Sequence, residues 1–162
     1  MNIVMMIGQN AGLIGFLTVL SRGYKINGVV CYDSITKNVV RNYGIDVYDS
    51  ILDYKDLIDN DILISVHGKE IVSSDILDSL LCLNVHPCLY RYKGSNPVGR
   101  LIDDGCRKAS VGVHIMSDVV DGGEVVFELF KEVDLDSVEG VYNQLYPLYH
   151  EAIFKLFNVK VA

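Results

Sequence analysis

Asn2-Ile3-Val4-Met5-Met6-Ile7-Gly8-Gln9-Asn10-Ala11-Gly12-Leu13-Ile14-Gly15-Phe16-Leu17-Thr18-Val19-Leu20 begins the chain, and its reading decides the fold. From Ile3 to Leu20 there are 18 residues without a charge, the lower limit for a membrane span. Gln9 and Asn10 interrupt the run midway, and Gly8, Gly12 and Gly15 fall at turn-like positions. No basic residue precedes it, as a secretory signal requires. The better reading is a buried strand from Asn2 to Ile7, a glycine turn, and a helix from about Ala11 to Arg22.

The same alternation continues outward. Ile26 to Tyr32 is a Val- and Ile-rich strand, Ile35 to Tyr43 a helix, and Asp46 to Tyr48 a short strand. Tyr54 to Ile58 is read as a short helix and Ile62 to Val66 as a fully apolar strand. Ser73 or Ser74 caps a helix running to about Leu80, and Cys82 to His86 is a strand ending at Pro87. Apolar strands alternating with amphipathic stretches predict an α/β fold, a mainly parallel sheet with helices on both faces.

Beyond Pro87 the pattern changes. A polar loop, residues 88–96, precedes a short helix from about Pro97 to Asp104. Val111, Val113 and Ile115 alternate with smaller or polar residues, and Glu124 to Val133 is a strand after the Asp121-Gly122-Gly123 turn. This last strand pair is expected to depart from the parallel pattern. Asp136-x-x-Glu139 resembles a capping box for a final helix, in which Pro147 should introduce a kink. No linker or repeat divides residues 1–162, which read as one domain.

The 162 residues carry a formal charge of −7, so a polyanion such as nucleic acid, or an anionic membrane surface, is a poor partner. The charge is uneven. Residues 91–108 hold five basic and two acidic groups, with Arg91, Lys93, Arg100, Arg107 and Lys108 close together. If these face a crevice, they would steer a small anion to it. Cys31, Cys82, Cys88 and Cys106 contain no Cys-x-x-Cys pair, fit no zinc spacing, and suggest buried thiols in a reducing, cytoplasmic compartment. No metal is expected.

Three segments carry candidate chemistry. Asn84 and His86 lie two apart on one strand, so their side chains share a face. They stand at its carboxyl end, where open α/β sheets place their ligand crevice. Asp118-Val119-Val120-Asp121-Gly122-Gly123 is a polar loop between strands, and as a turn sequence alone it is common. The turn beginning at Gly8 offers backbone N–H groups that suit an anion, although it is not a Gly-x-Gly-x-x-Gly motif.

Asn84-Val85-His86-Pro87, followed 35 residues after His86 by Asp121 in Asp-Gly-Gly, resembles the formyltetrahydrofolate-dependent formyltransferases. The resemblance is specific from about Asp61 to Phe130 and looser over the first strand–turn–helix and the last helix. It implies the Rossmann-like formyltransferase fold, with a C-terminal strand pair plus a final helix. The activity it implies is transfer of a formyl group from 10-formyltetrahydrofolate to the primary amine of a small substrate. Asn84, His86 and Asp121 would be catalytic: Asn84 and a protonated His86 stabilise the oxyanion, and Asp121 orients the ring and favours its charged form. Asp121 would also take the amine proton through a bound water. Lys69, Glu70, Ile71 and Val72, with Ser117, Asp118, Val119 and Val120, would hold the folate; Gly8, Gln9, Asn10 and Pro87 would contact the substrate.

Members of this group act on glycinamide ribonucleotide, on methionyl-tRNA or on amino sugars, and related hydrolases release formate. The acidity argues against tRNA. The loop Tyr92-Lys93-Gly94-Ser95-Asn96-Pro97 and the presence of Tyr142 argue against the purine substrate, so an amino sugar nucleotide is favoured. Phosphoribosylglycinamide formyltransferase and formyltetrahydrofolate hydrolase are the alternatives. His67, at the end of its strand, either lines the pocket or has a structural or rim role. His114 resembles a histidine of some family members, but its strand position favours a plain hydrogen-bonded role; Tyr142, Tyr146 and Tyr149 are read as helix packing. The sequence leaves the oligomeric state open.

Overall fold

The computed structural model describes residues 1–159, with seven strands in one sheet ordered β3-β2-β1-β4-β5-β6-β7. The strands are β1 (Asn2–Ile7), β2 (Lys25–Cys31), β3 (Asp46–Tyr48), β4 (Ile62–Val66), β5 (Leu81–Pro87), β6 (Lys108–Ile115) and β7 (Val125–Glu132). The helices are α1 (Gln9–Ser21), α2 (Ser34–Asn42), α3 (Ser74–Ser79), α4 (Pro97–Asp103) and α5 (Val138–Leu156). The chain groups into two compact units, Met1–Asn84 and Val85 onward.

In the first unit β1 pairs in parallel with β2 and β4, and β2 with β3. Ile3 to Ile7 and all of β4 are buried, because parallel strands covered on both faces read as unbroken apolar runs. The uncharged opening run therefore divides at Gly8 into β1 and α1. No helix among the described residues is long and apolar enough to cross a membrane. Gly8 is required there: a Cβ would press on the backbone oxygen of His67, while the Gly8 N–H donates to the Val66 carbonyl at 3.2 Å. The ends of β1 and β4 are thereby fastened to each other.

Two sequence expectations are corrected. The helix expected over Tyr54 to Ile58 is replaced by single 3₁₀ turns at Ile51–Asp53 and Leu57–Asp59. Ser50 accepts the Leu52 N–H at 3.1 Å and starts the first turn, and a segment this short does not nucleate an α-helix. At the start of α5, Ser137 rather than Asp136 is the cap, its hydroxyl accepting from Gly140 N at 2.9 Å.

In the second unit β6 and β7 run antiparallel, with Val111 opposite Leu129 and Val113 opposite Phe127. Along α5, Val141, Leu145, Tyr149, Ala152 and Ile153 form the buried stripe, and the helix runs on through exposed Pro147. Tyr146 lies in ring contact with both Tyr142 and Tyr149, as expected of packing.

Candidate active site

His86 is brought to its place by the end of β5. Pro87 closes the strand, and Cys88 takes a left-handed conformation, φ 54°, with its N–H donating to the Ser110 carbonyl at 2.8 Å. The chain therefore turns immediately after His86, whose side chain stays buried. Asn84, two residues earlier, is half-buried and by strand alternation shares the face of His86.

Asp121 is carried by the loop between β6 and β7, also at a positive φ of 53°, a conformation that Asp tolerates better than most residues. The loop closes through Gly122 N to Val119 O at 3.0 Å and Ile115 N to Glu124 O at 2.8 Å. A Cβ on Gly123 would collide with the Ile115 carbonyl oxygen, so only glycine fits this crossing. Gly123→Ala is expected to lower stability by about 1–3 kcal/mol, read as a reduced urea midpoint at unchanged slope.

Three donors converge on the Asp121 carboxylate. His86 Nε2 lies 3.1 Å and the Gly94 N–H 2.6 Å from Oδ2, and His114 Nε2 lies 3.4 Å from Oδ1. Burial by itself would raise this carboxyl. Hydrogen bonds from His114, His86 and Gly94 outweigh it and hold Asp121 well below the ordinary carboxylate range. The folded value lies below the unfolded one, near 3.9, so the stabilisation is present at neutral pH and is lost as pH falls below about 4. The gap in unfolding free energy between wild type and Asp121→Asn should therefore narrow as pH is lowered from about 5 to 2. A constant gap in urea titrations would contradict this.

The same geometry assigns the hydrogens of His86. Its Nε2 faces Asp121 and, at 3.2 Å, the Gly94 carbonyl oxygen, both of which only accept. Nε2 therefore carries a hydrogen in either charge state. Nδ1 is buried and has no hydrogen-bond partner. It is a lone pair in the neutral ring and a second donor in the imidazolium, and an orphaned buried nitrogen of this kind is where a reacting group can be served.

Two contributors to this centre are not among the expected catalytic residues. His114, expected to make a plain hydrogen bond from its strand, holds one oxygen of Asp121 while its Nδ1 lies 3.1 Å from the Ile115 carbonyl. Gly94 acts only through its backbone; its position in the polar loop after Pro87 was the available clue.

Of the other singled-out residues in this unit, Val119 and Val120 are 63% and 66% exposed, and the Ser117 hydroxyl bonds the Val119 backbone at 3.1 Å. Most of the basic cluster is committed locally. Arg91 reaches Asp104 at 3.9 Å, Arg107 reaches Asp134 at 3.0 Å, and the Lys108 ammonium stands 4.5 Å from the Phe130 ring centre.

Within the first unit, Ile71 is 84% exposed whereas Val72 is buried. Glu70 accepts from Tyr32 Oη at 2.8 Å, Ser50 Oγ at 2.6 Å and Ile51 N at 3.0 Å, so its carboxylate anchors the loop of residues 67–72. At the turn after β1, Asp33 accepts the Gln9 N–H at 2.8 Å, and Gln9 Oε1 lies 3.2 Å from His67 Nδ1. A carboxylate thus already occupies the first amide of α1.

A family model described as formyl transferase matches residues 38–156, and the chain belongs to this family. The methionyl-tRNA formyltransferase of Lysinibacillus sphaericus (strain C3-41) is 32% identical over 89 residues, covering 52% of this chain and 28% of that protein. The chain thus matches little more than a quarter of that relative's length. Among solved structures, glycinamide ribonucleotide transformylase 1 from Symbiobacterium toebii superposes with a TM-score of 0.80 at 20% identity, covering 96% of this chain and 86% of that one. A Mycobacterium tuberculosis protein described as a likely sugar N-formyltransferase gives 0.77 at 22% identity, covering 97% and 66%. At these identities the structures establish the shared fold.

Proposed function

We propose that the chain is an N-formyltransferase that moves the formyl group of 10-formyltetrahydrofolate to the primary amine of a small anionic substrate, and that Asn84, His86 and Asp121 carry the reaction. The observation behind this reading is the His86 ring, fixed at Nε2 by Asp121 and Gly94 with Nδ1 left buried and unpartnered. The folate supplies an activated formyl carbon on N10. Attack by the amine forms the new C–N bond and places negative charge on the formyl oxygen, toward which the Asn84 amide donates. Neutral His86 accepts the amine proton at Nδ1. The resulting imidazolium returns it to N10 as the old C–N bond breaks, so the ring ends as it began. Asp121, held as an anion by three donors, is a weak proton acceptor. Its part is to orient the ring and balance its charge, and His114 holds Asp121 in turn.

The exposed apolar side chains of Val119 and Val120 suit contact with a flat pteridine. Glu70, in the first unit, would act as the anchor of its own loop. Asp33, whose carboxylate accepts the Gln9 N–H, would disfavour a substrate phosphate at the turn of Gly8, Gln9 and Asn10. The reading places the reaction in a reducing, cytoplasmic compartment, which four free thiols suit.

Incubation with 10-formyltetrahydrofolate, with and without a panel of amino sugar nucleotides and glycinamide ribonucleotide, tests the proposal. Amine-dependent release of tetrahydrofolate is expected. Release at the same rate without amine would make the protein a hydrolase, and folate binding without turnover would make it a binding module.

A further inference from the structure

Gly94 joins both working partners: its N–H donates to Asp121 and its carbonyl faces His86 Nε2. Yet Gly94 sits at φ 84° with open space where a side chain would be, so nothing about the residue itself keeps it there. Arg100, on α4, reaches back to this loop. Its Nη2 donates to the Lys93 carbonyl at 2.5 Å and its Nε to the Ser95 carbonyl at 3.0 Å, the two carbonyls on either side of that of Gly94.

We infer that Arg100 is a positioning residue whose guanidinium grips these two carbonyls and so orients the Gly94 peptide groups that hold Asp121 and His86. This rests on the proposed reading of the site. The Lys93 carbonyl and the Gly94 N–H are opposite ends of one planar peptide. Arg100 holds one end while Asp121 holds the other, and a cation on the carbonyl polarises the peptide and makes its N–H a stronger donor. The guanidinium is itself held, with its carbon 5.8 Å from the ring centre of buried Tyr92, whose hydroxyl donates to Asp104 at 2.9 Å. Lysine cannot reproduce the hold, because a single ammonium lacks the planar fork that meets two separated acceptors. The part of the basic cluster nearest Gly94 thus acts on the protein's own backbone and not on an incoming anion.

Arg100→Gln and Arg100→Lys separate this from a general structural role. Amide hydrogen exchange at Gly94 should quicken at least about tenfold in Arg100→Gln, in line with the loss of one net hydrogen bond to a charged group. Protection along β6 and α5 should be kept. In turnover, kcat should fall about 10- to 100-fold with the KM for folate within about twofold, and Arg100→Lys should lie between the two. Unchanged Gly94 exchange, or loss of protection throughout β6 and α5, would overturn the inference, as would wild-type kcat in Arg100→Gln. If the wild type transfers no formyl group, the reading of the site fails, while the exchange experiment still decides whether Arg100 holds Gly94.

Discussion

Asp121→Asn is expected to lower kcat by roughly 10³–10⁴, the loss seen when a carboxylate that orients a working histidine becomes an amide. Shape is conserved by this change and charge is not. Asn offers one accepting and one donating atom where Asp121 offers two acceptors to three donors. If the amide oxygen takes the place of Oδ2, its NH₂ faces His114; if reversed, the NH₂ faces both His86 Nε2 and the Gly94 N–H. Either way the imidazolium formed on His86 loses its counter-charge in a buried setting, where that charge matters most. The assay is steady-state turnover on a variant whose circular dichroism and urea midpoint show it to be folded. A folded variant within tenfold of wild type would contradict the assigned role.

Asn84→Ala should cost about 10²–10³ in kcat, the usual penalty for removing one donor to a developing oxyanion. The change falls on a half-buried side chain near the end of β5, whose neighbours Leu83 and Val85 keep the strand in the core. Folding should therefore survive. The KM for folate should move little, since the hydrogen bond strengthens as charge develops and contributes mainly to the transition state. A large rise in KM at constant kcat would instead make Asn84 a binding residue.

These residues were legible because strong local rules surround them. Glycines that break an apolar run mark β1 and α1, Pro87 marks the end of β5, and Asp-Gly-Gly marks the loop carrying Asp121. What the sequence hid depends on long-range pairing. His114 lies on a buried strand whose alternation does not say what its ring will meet, and only the β6–β7 loop brings Asp121 to it. Gly94 contributes a peptide group, which every residue has. Asp33 lies 24 residues from Gln9, so its occupation of that turn follows from the parallel pairing of β1 with β2 and not from any motif. Exposed Ile71 and buried Val72 are adjacent and chemically alike, and the backbone path alone separates them.

Formyl transfer is decided by following the carbon itself. Protein is mixed with 10-formyltetrahydrofolate labelled with ¹³C in the formyl group, together with amino sugar nucleotides, and the label is traced by NMR. Wild type should place the label in a formamide on the amine nitrogen, and Asp121→Asn should not do so on the same timescale. Label appearing only as free formate would rule out transfer to the amine, and formamide produced equally by wild type and Asp121→Asn would rule out the role of Asp121.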